Sequence, residues 1–249
     1  MVHNFITGAS YVLKGFGLIK QPGLRRFVLA PLLVNIIVFS LLIYLGLSQF
    51  EALTNALLPD SQAWWAWILR FVLLFLFWAL ALVIMFFSFT LVANLIAAPF
   101  NGLLAERVMM HLTGRGEDKS NGLLAALGNF GPAVRSELHK YLYFLVIGLL
   151  VGVFVLASIA IPVINLLTPL VTAIFSAWML ILEYIAYPAD NAGLNFKEAR
   201  VRVRRQRMMA LGFGAAVLLV TIIPLVNFLI MPAAIAGATA LWVDHLQHV

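Results

Sequence analysis

The sequence contains no cysteine and few charged residues, and both absences narrow what the protein can do. Without cysteine, disulfides, thiolate metal ligands and cysteine nucleophiles are all excluded. Charged residues make up 10% of the 249 residues and hydrophobic residues 63%, whereas soluble domains carry about 25% charged residues. Because helices satisfy their own backbone in lipid, this composition predicts an all-α integral membrane protein.

Signatures of catalysis and of nucleotide binding are also missing from the sequence. It has no HExxH motif, no Walker motif and no glycine-rich nucleotide loop. We therefore expect no catalytic residue, no metal site and no cofactor, and no transport powered by ATP bound to this chain. The net charge of +6 is explained by basic residues beside membrane spans, so we expect no nucleic-acid partner.

Four uncharged runs are each longer than the roughly 20 residues that cross a bilayer. They are Phe27–Phe50, Phe71–Ala105, Tyr141–Leu182 and Met208–Val243. Of the 16 Lys and Arg residues, only Arg70 lies in the segment 51–70 between the first two runs. The positive-inside rule therefore places this segment outside the cytoplasm and both termini inside. We expect an uncleaved, multi-pass chain.

The chain order predicts one membrane domain, 1–249, that starts with an amphipathic helix at 4–20 lying in the membrane interface. The first span covers 24–50. The second covers 71–93 and has an extension at 99–112, because Pro99 is expected to end one helix and start another. These two segments are the full transmembrane helices of the prediction.

The last two runs share a motif near their middle and are predicted to be helical hairpins, 141–182 and 208–243. Ile161-Pro162-Val163-Ile164-Asn165 resembles Ile223-Pro224-Leu225-Val226-Asn227. Arms such as 170–182 and 208–223 cover only about 20 and 24 Å at 1.5 Å per residue, short of a core about 30 Å thick. We therefore expect re-entrant, partly inserted hairpins.

A strongly basic helix at 195–207 is predicted between the hairpins. Asn195 is its expected N-cap, with Glu198 three residues later. We favour a juxtamembrane anchor on anionic lipid for this helix over a role in substrate binding.

The segment Gln21–Arg26 combines several features of an anion site. Pro22 is expected at the first position of a helix, where free N–H groups and the positive end of the helix dipole lie. Gly23 allows close approach to the backbone, and Arg25 and Arg26 add two guanidinium groups. Alternatively, Arg25 and Arg26 only set the topology of the chain, because arginine side chains commonly extend to the membrane interface at the cytoplasmic ends of spans.

Polar residues within the apolar runs are the candidates for a path through the membrane. Each amide could instead cap a helix or form an interhelical hydrogen bond. Together they form a candidate polar seam, whose residues are Asn35, Asn94, Asn101, Glu106 and Arg107.

Several motifs in the same order resemble the CysZ-type sulfate permeases of bacteria. The motifs are Gln-Pro-Gly-Leu-Arg-Arg-Phe-Val from Gln21, Ala-Ala-Pro-Phe-Asn-Gly-Leu-Leu-Ala-Glu from Ala97, Phe175–Leu180, Tyr187–Asn191 and Gly237–Asp244. The resemblance implies two spans plus two partly inserted hairpins, assembled as a homo-oligomer in the inner membrane. It also implies sulfate uptake for cysteine synthesis, with sulfate bound at Gly23, Leu24, Arg25 and Arg26.

Two other classes of function remain open. The chain could be a scaffold that transports nothing, or an accessory subunit of an anion-uptake system. It could also be an intramembrane enzyme, which would require a convergent set of acid, base or metal-binding residues. Related oxyanions such as thiosulfate and sulfite are alternative ligands of the same chemistry.

Overall fold

The computed structural model describes residues 1–30, 33–34, 36–38, 40–41, 44–45, 64–114 and 130–248. For some helical residues, including 84–99 and 130–137, it describes the backbone only. Throughout these ranges the regular secondary structure is helical, without a strand. The prediction of an all-α membrane protein is therefore confirmed.

Within its described residues the chain has eight α-helices, and residues 25–30 begin a further helical segment. The helices are α1 Val2–Ile19, α2 Trp64–Thr113, α3 Phe130–Ala160, α4 Pro162–Asn165, α5 Thr168–Asn191, α6 Phe196–Arg205, α7 Arg207–Thr221 and α8 Pro224–Leu241. A π-helical turn, Trp242–Leu246, follows α8.

The chain forms two compact units. One consists of 1–28 and 99–249, and the other of 29–98. In the first unit, α1 packs against α7 and α8, and α7 packs against α5. Its core includes Val12, Ile185, Phe213 and Trp242, which are almost completely buried. The candidate anion site and its described neighbours belong to this unit.

Glycines allow α1 to lie directly against its neighbours. A Cβ atom at Gly8 would collide with the carbonyl oxygen of Met209 in α7, and one at Gly15 with that of Ala233 in α8. The opposite side of α1 exposes Ile6 and Leu13. One face of α1 is therefore packed into the helical unit, while apolar side chains remain uncovered on the other.

A polar contact ties α1 to the last turn of the chain. The Tyr11 hydroxyl donates to Asp244 Oδ2 at 2.8 Å, and Lys14 Nζ donates to the same oxygen at 2.7 Å. Burial, and then the hydrogen bond to Asp244, raise the pKa of Tyr11 above its ordinary value. The shift is away from neutrality, so the hydroxyl that donates to Asp244 is protonated at neutral pH, as that of an ordinary tyrosine also is.

Pro99 lies inside α2, so the expected break at this position is wrong. A proline in a helix interior removes one hydrogen bond and crowds the preceding turn. Helices in apolar surroundings nevertheless accommodate proline, because local adjustment and neighbouring groups satisfy the freed carbonyl.

The hairpin arms differ in length from one another. Helix α5 has 24 residues, about 36 Å at 1.5 Å per residue, so the length expected for the arm 170–182 was too short. Helix α7 has 15 residues, about 22 Å, which agrees with a short arm. By length and composition, three described segments could cross a membrane: Lys140–Ala160, Thr168–Asn191 and Leu229–Leu246.

Candidate anion site

A tight turn links α1 to the helical segment that begins at Arg25. The Leu24 N–H donates to the Gln21 carbonyl at 3.2 Å. Pro22 and Gly23 occupy the two central positions, and Gly23 has a φ of 92°. This combination is typical of a type II turn, in which the third residue requires a positive φ. Pro22 is therefore in the turn, not at the first helical position as expected.

The turn leaves backbone donors available at the start of the helix. Phe27 N–H donates to the Leu24 carbonyl at 3.1 Å, whereas the N–H groups of Gly23, Arg25 and Arg26 donate to no backbone carbonyl among the described residues. Such groups at a helix N-terminus favour an anion. Leu24 is 4% exposed and packs into the core, which fixes the turn to the helical unit.

The two arginines after the turn have different surroundings. Arg25 Nε donates to the Lys20 carbonyl oxygen at 2.6 Å, so its side chain folds back over the turn. The Arg26 guanidinium carbon lies 4.9 Å from the centre of the Phe27 ring. Both residues are exposed, and neither forms an ion pair within the described part of the chain. Their positive charges therefore remain available to an anion.

Phe27 connects this turn to α2. The guanidinium carbon of Arg107 lies 5.8 Å from the centre of the same ring that Arg26 contacts. Arg107 is half-buried, as is the neighbouring Glu106. The ring thus brings a third guanidinium group to within about 11 Å of Arg26, the sum of the two distances.

A second polar cluster lies around Asn101, closer to the N-terminus of α2 than Arg107. Asn101 is 6% exposed, and its Nδ2 donates to the Tyr187 hydroxyl of α5 at 3.3 Å. The Lys140 ammonium, in α3, lies 5.3 Å from the centre of the Tyr187 ring and is almost fully buried. Asn191 Nδ2 donates to the Gly102 carbonyl at 2.9 Å. Three helices therefore meet through polar side chains.

The predicted site residues are only partly brought together. Gly23, Arg25 and Arg26 share the turn, and Arg107 reaches it through Phe27. Asn101 lies in the second cluster instead. Asn35 lies outside the described residues, and for Asn94 only the helical backbone is described.

Four residues that the sequence reasoning did not assign take part in these contacts. They are Phe27, Lys140, Tyr187 and Asn191. Tyr187 and Asn191 belong to the Tyr187–Asn191 motif of the family resemblance, and this motif could have identified them as functional residues. Phe27 and Lys140 gave no comparable signal, because an aromatic or basic residue at the end of an apolar run is commonly a membrane anchor.

The geometry suits a small oxyanion better than a metal ion or a reactive substrate. Backbone N–H groups and guanidinium groups are donors without acceptor capacity, and guanidinium binds tetrahedral oxyanions through paired hydrogen bonds. No group of three or more His, Cys, Asp or Glu side chains that could hold a metal occurs within the described ranges.

Comparison with known proteins gives closely related sequences. The family model described as "Sulfate transporter CysZ/Etoposide-induced protein 2.4" matches residues 11–232. A protein named sulfate transporter CysZ from Pseudomonas fluorescens (strain Pf0-1) is 39% identical over 238 residues, 96% of this chain and 93% of the relative. Its namesake from Pseudomonas aeruginosa (strain LESB58) is 40% identical over 240 residues, covering 96% and 95% of the two chains.

Proposed function

Because the chain belongs to the sulfate transporter CysZ/etoposide-induced protein 2.4 family, we propose that it transports sulfate across the bacterial inner membrane. Its resemblance to CysZ-type permeases is thereby confirmed, and it is not an enzyme. The transported sulfate is assimilated into cysteine. The chain acts as a multi-pass homo-oligomer with cytoplasmic termini.

The observation that carries the proposal is the Gln21–Arg26 turn. Two exposed guanidinium groups without an ion-pair partner among the described residues flank backbone N–H groups at a helix start. Sulfate is a dianion, and several N–H donors plus two guanidinium groups replace much of its hydration while cancelling its charge. In this proposal Gly23, Leu24, Arg25 and Arg26 form the sulfate-binding site.

From this site the anion follows the polar residues of α2. The Phe27 ring, flanked by the Arg26 and Arg107 guanidinium groups, supports a step from the turn towards Arg107. Glu106, Asn101 and Asn94 of α2, together with Asn35 of the first predicted span, are the further path residues in this proposal. Polar side chains inside a membrane protein mark such paths, because they are costly to keep without a function.

The charge of sulfate sets a requirement on uptake. Moving a dianion into a cell against an inside-negative potential costs about 4.6 kcal/mol per 100 mV. Net uptake therefore requires a steep sulfate gradient, rapid consumption inside the cell or coupled proton entry.

Radiolabelled sulfate uptake into liposomes that contain the purified protein tests this function. We expect uptake above that of empty liposomes and a loss of at least tenfold in R25A/R26A. The variant R25K/R26K keeps the net charge but lacks the guanidinium fork, so partial uptake is expected. An imposed proton gradient would accelerate uptake by a symporter and leave a channel unaffected.

Two results would contradict the proposal in different ways. Wild-type uptake equal to that of empty liposomes would favour a scaffold or accessory subunit. Full uptake by R25A/R26A would keep transport but remove the turn from its mechanism. Matched thermal unfolding of all variants in detergent is the control for folding.

A further inference from the structure

The basic helix α6 carries two sets of cations with different surroundings. It begins with a capping box: the Glu198 N–H donates to Asn195 Oδ1 at 3.0 Å, and the Asn195 N–H donates to Glu198 Oε2 at 2.8 Å. The acidic side chain of the helix is thus engaged with its own N-terminus. Ala199 and Val203 are buried, which fixes the face that turns inward.

The inward set consists of Arg200 and Arg202. The Arg200 guanidinium carbon lies 4.6 Å from the centre of the Tyr143 ring. Arg202 Nη1 donates to the carbonyl oxygens of Leu246 and Gln247, and its guanidinium stacks over the Trp242 ring. These two cations are engaged with aromatic rings and with the last turn of the chain.

The outward set lies on one stripe of the helix. Lys197, Arg204 and Arg205 are exposed and are separated by seven and eight residues, so they share a face. Val201 lies between them on the same face and is 45% exposed. A face with cations on both sides of an exposed apolar residue is typical of helices that lie in a membrane interface.

We propose that this stripe of α6 binds the headgroups of anionic phospholipid, with Lys197, Arg204 and Arg205 on the phosphates and Val201 at the acyl boundary. Helix α6 lies between the end of α5, long and apolar enough to span a membrane, and the start of the apolar α7. It therefore lies where a membrane surface is expected. The exposed valine favours lipid over nucleic acid, whose phosphates offer no apolar layer.

Two double variants that remove the same charge from the same helix test the proposal. R204Q/R205Q changes the outward set, and R200Q/R202Q changes the inward set. Each protein is placed in phosphatidylcholine vesicles with spin-labelled phosphatidylglycerol or phosphatidylcholine. Electron paramagnetic resonance then gives the preference for the anionic lipid at low and high salt.

We expect the wild type to prefer phosphatidylglycerol at low salt and to lose most of this preference at about 1 M salt. R204Q/R205Q should lower the preference roughly fivefold or more. R200Q/R202Q should leave it within about twofold and instead lower the thermal unfolding temperature, because it loses ring and carbonyl contacts. R204K/R205K keeps both charges and should behave like the wild type.

Three results would overturn the proposal. The wild type could show no preference for phosphatidylglycerol, or R204Q/R205Q could keep the wild-type preference. The two double variants could also lose the preference equally, which would show that net charge and not the outward set determines lipid binding. If R200Q/R202Q does not fold, the comparison of R204Q/R205Q with R204K/R205K still decides, because all four substitutions are on exposed side chains.

Discussion

Gly23 adopts a left-handed backbone conformation, with φ of 92°, that side-chain-bearing residues enter only at a cost. Apart from its two chain neighbours, no described residue has a heavy atom within 4 Å of the position that a Cβ would occupy there. An alanine at this position would therefore be strained by its own backbone and not by its neighbours. The role of Gly23 is to shape the turn that carries the two arginines.

We predict that Gly23→Ala lowers the free energy of unfolding by about 1–2 kcal/mol, the cost of the left-handed conformation. It should also reduce sulfate uptake, since relief of this strain moves the arginines. Gly17→Ala is the matched control: it lies in α1 with equally open space around the new Cβ. It should be neutral or stabilising by up to about 1 kcal/mol. Equal thermal unfolding of the two variants would contradict the turn assignment.

Short sequence motifs predicted the structure within single helical turns well. The Asn195–Glu198 capping box was predicted and is present, because both residues act within one turn. The hydrogen bond between Asn101 and Tyr187 joins positions 86 residues apart. A single sequence does not encode such a pairing locally, so Asn101 was a candidate while its partner was not.

Among the helices, glycine-mediated contacts hold α1 and α7 together. A Cβ at Gly212 would overlap the backbone carbonyl of Phe5, which cannot move without shifting the whole helix. At Gly152 of α3, by contrast, an added Cβ would have no heavy atom of the described residues within 4 Å beyond the backbone of its own helix. Gly212 is therefore closely packed against a neighbouring helix, whereas Gly152 has room for a larger side chain.

Gly212→Ala is predicted to destabilise the protein by about 1–3 kcal/mol or more through overpacking. Gly152→Ala should be neutral or slightly stabilising, because alanine is the better helix former. Thermal unfolding in the same detergent measures both changes. If Gly212→Ala unfolds at the wild-type temperature, the result would contradict the close packing of α1 against α7 at Gly212.

Prolines were the least reliable guides to helix ends. Pro22 was expected to start a helix and lies in a turn, whereas Pro99 was expected to break a helix and lies within α2. Pro162 and Pro224 do occupy first helical positions. A fixed φ suits turns and helix starts equally, so the residues that follow proline decide between them.

At the scale of the whole molecule, the depth of the two hairpins in the membrane decides whether their tips reach the far side. Large apolar side chains are exposed at both tips: Leu166 and Leu167 in the first, Ile222 and Ile223 in the second. Several tip N–H groups are satisfied locally, for example Ile161 to Ser158 and Ile223 to Val220. Exposed apolar side chains and locally bonded N–H groups suit an apolar environment, and re-entrant hairpins remain our prediction.

Single cysteines at the tips test this depth, and the natural absence of cysteine makes labelling specific. We predict that Asn165→Cys and Asn227→Cys in intact cells resist a membrane-impermeant maleimide applied from outside. Asp60→Cys, in the segment expected outside the cytoplasm, is the positive control. Labelling of either tip from outside would show that its hairpin crosses the membrane completely.

The measurement that tests the central claim most directly is equilibrium binding of radiolabelled sulfate to the purified protein, for the wild type and R25A/R26A. The variant removes both guanidinium groups of the Gln21–Arg26 turn and keeps its backbone N–H groups, so saturable binding should weaken at least tenfold. Hydrogen bonds to charged groups contribute about 1.5–3 kcal/mol each, which makes this a lower limit. Equal affinity in the two proteins would contradict the account.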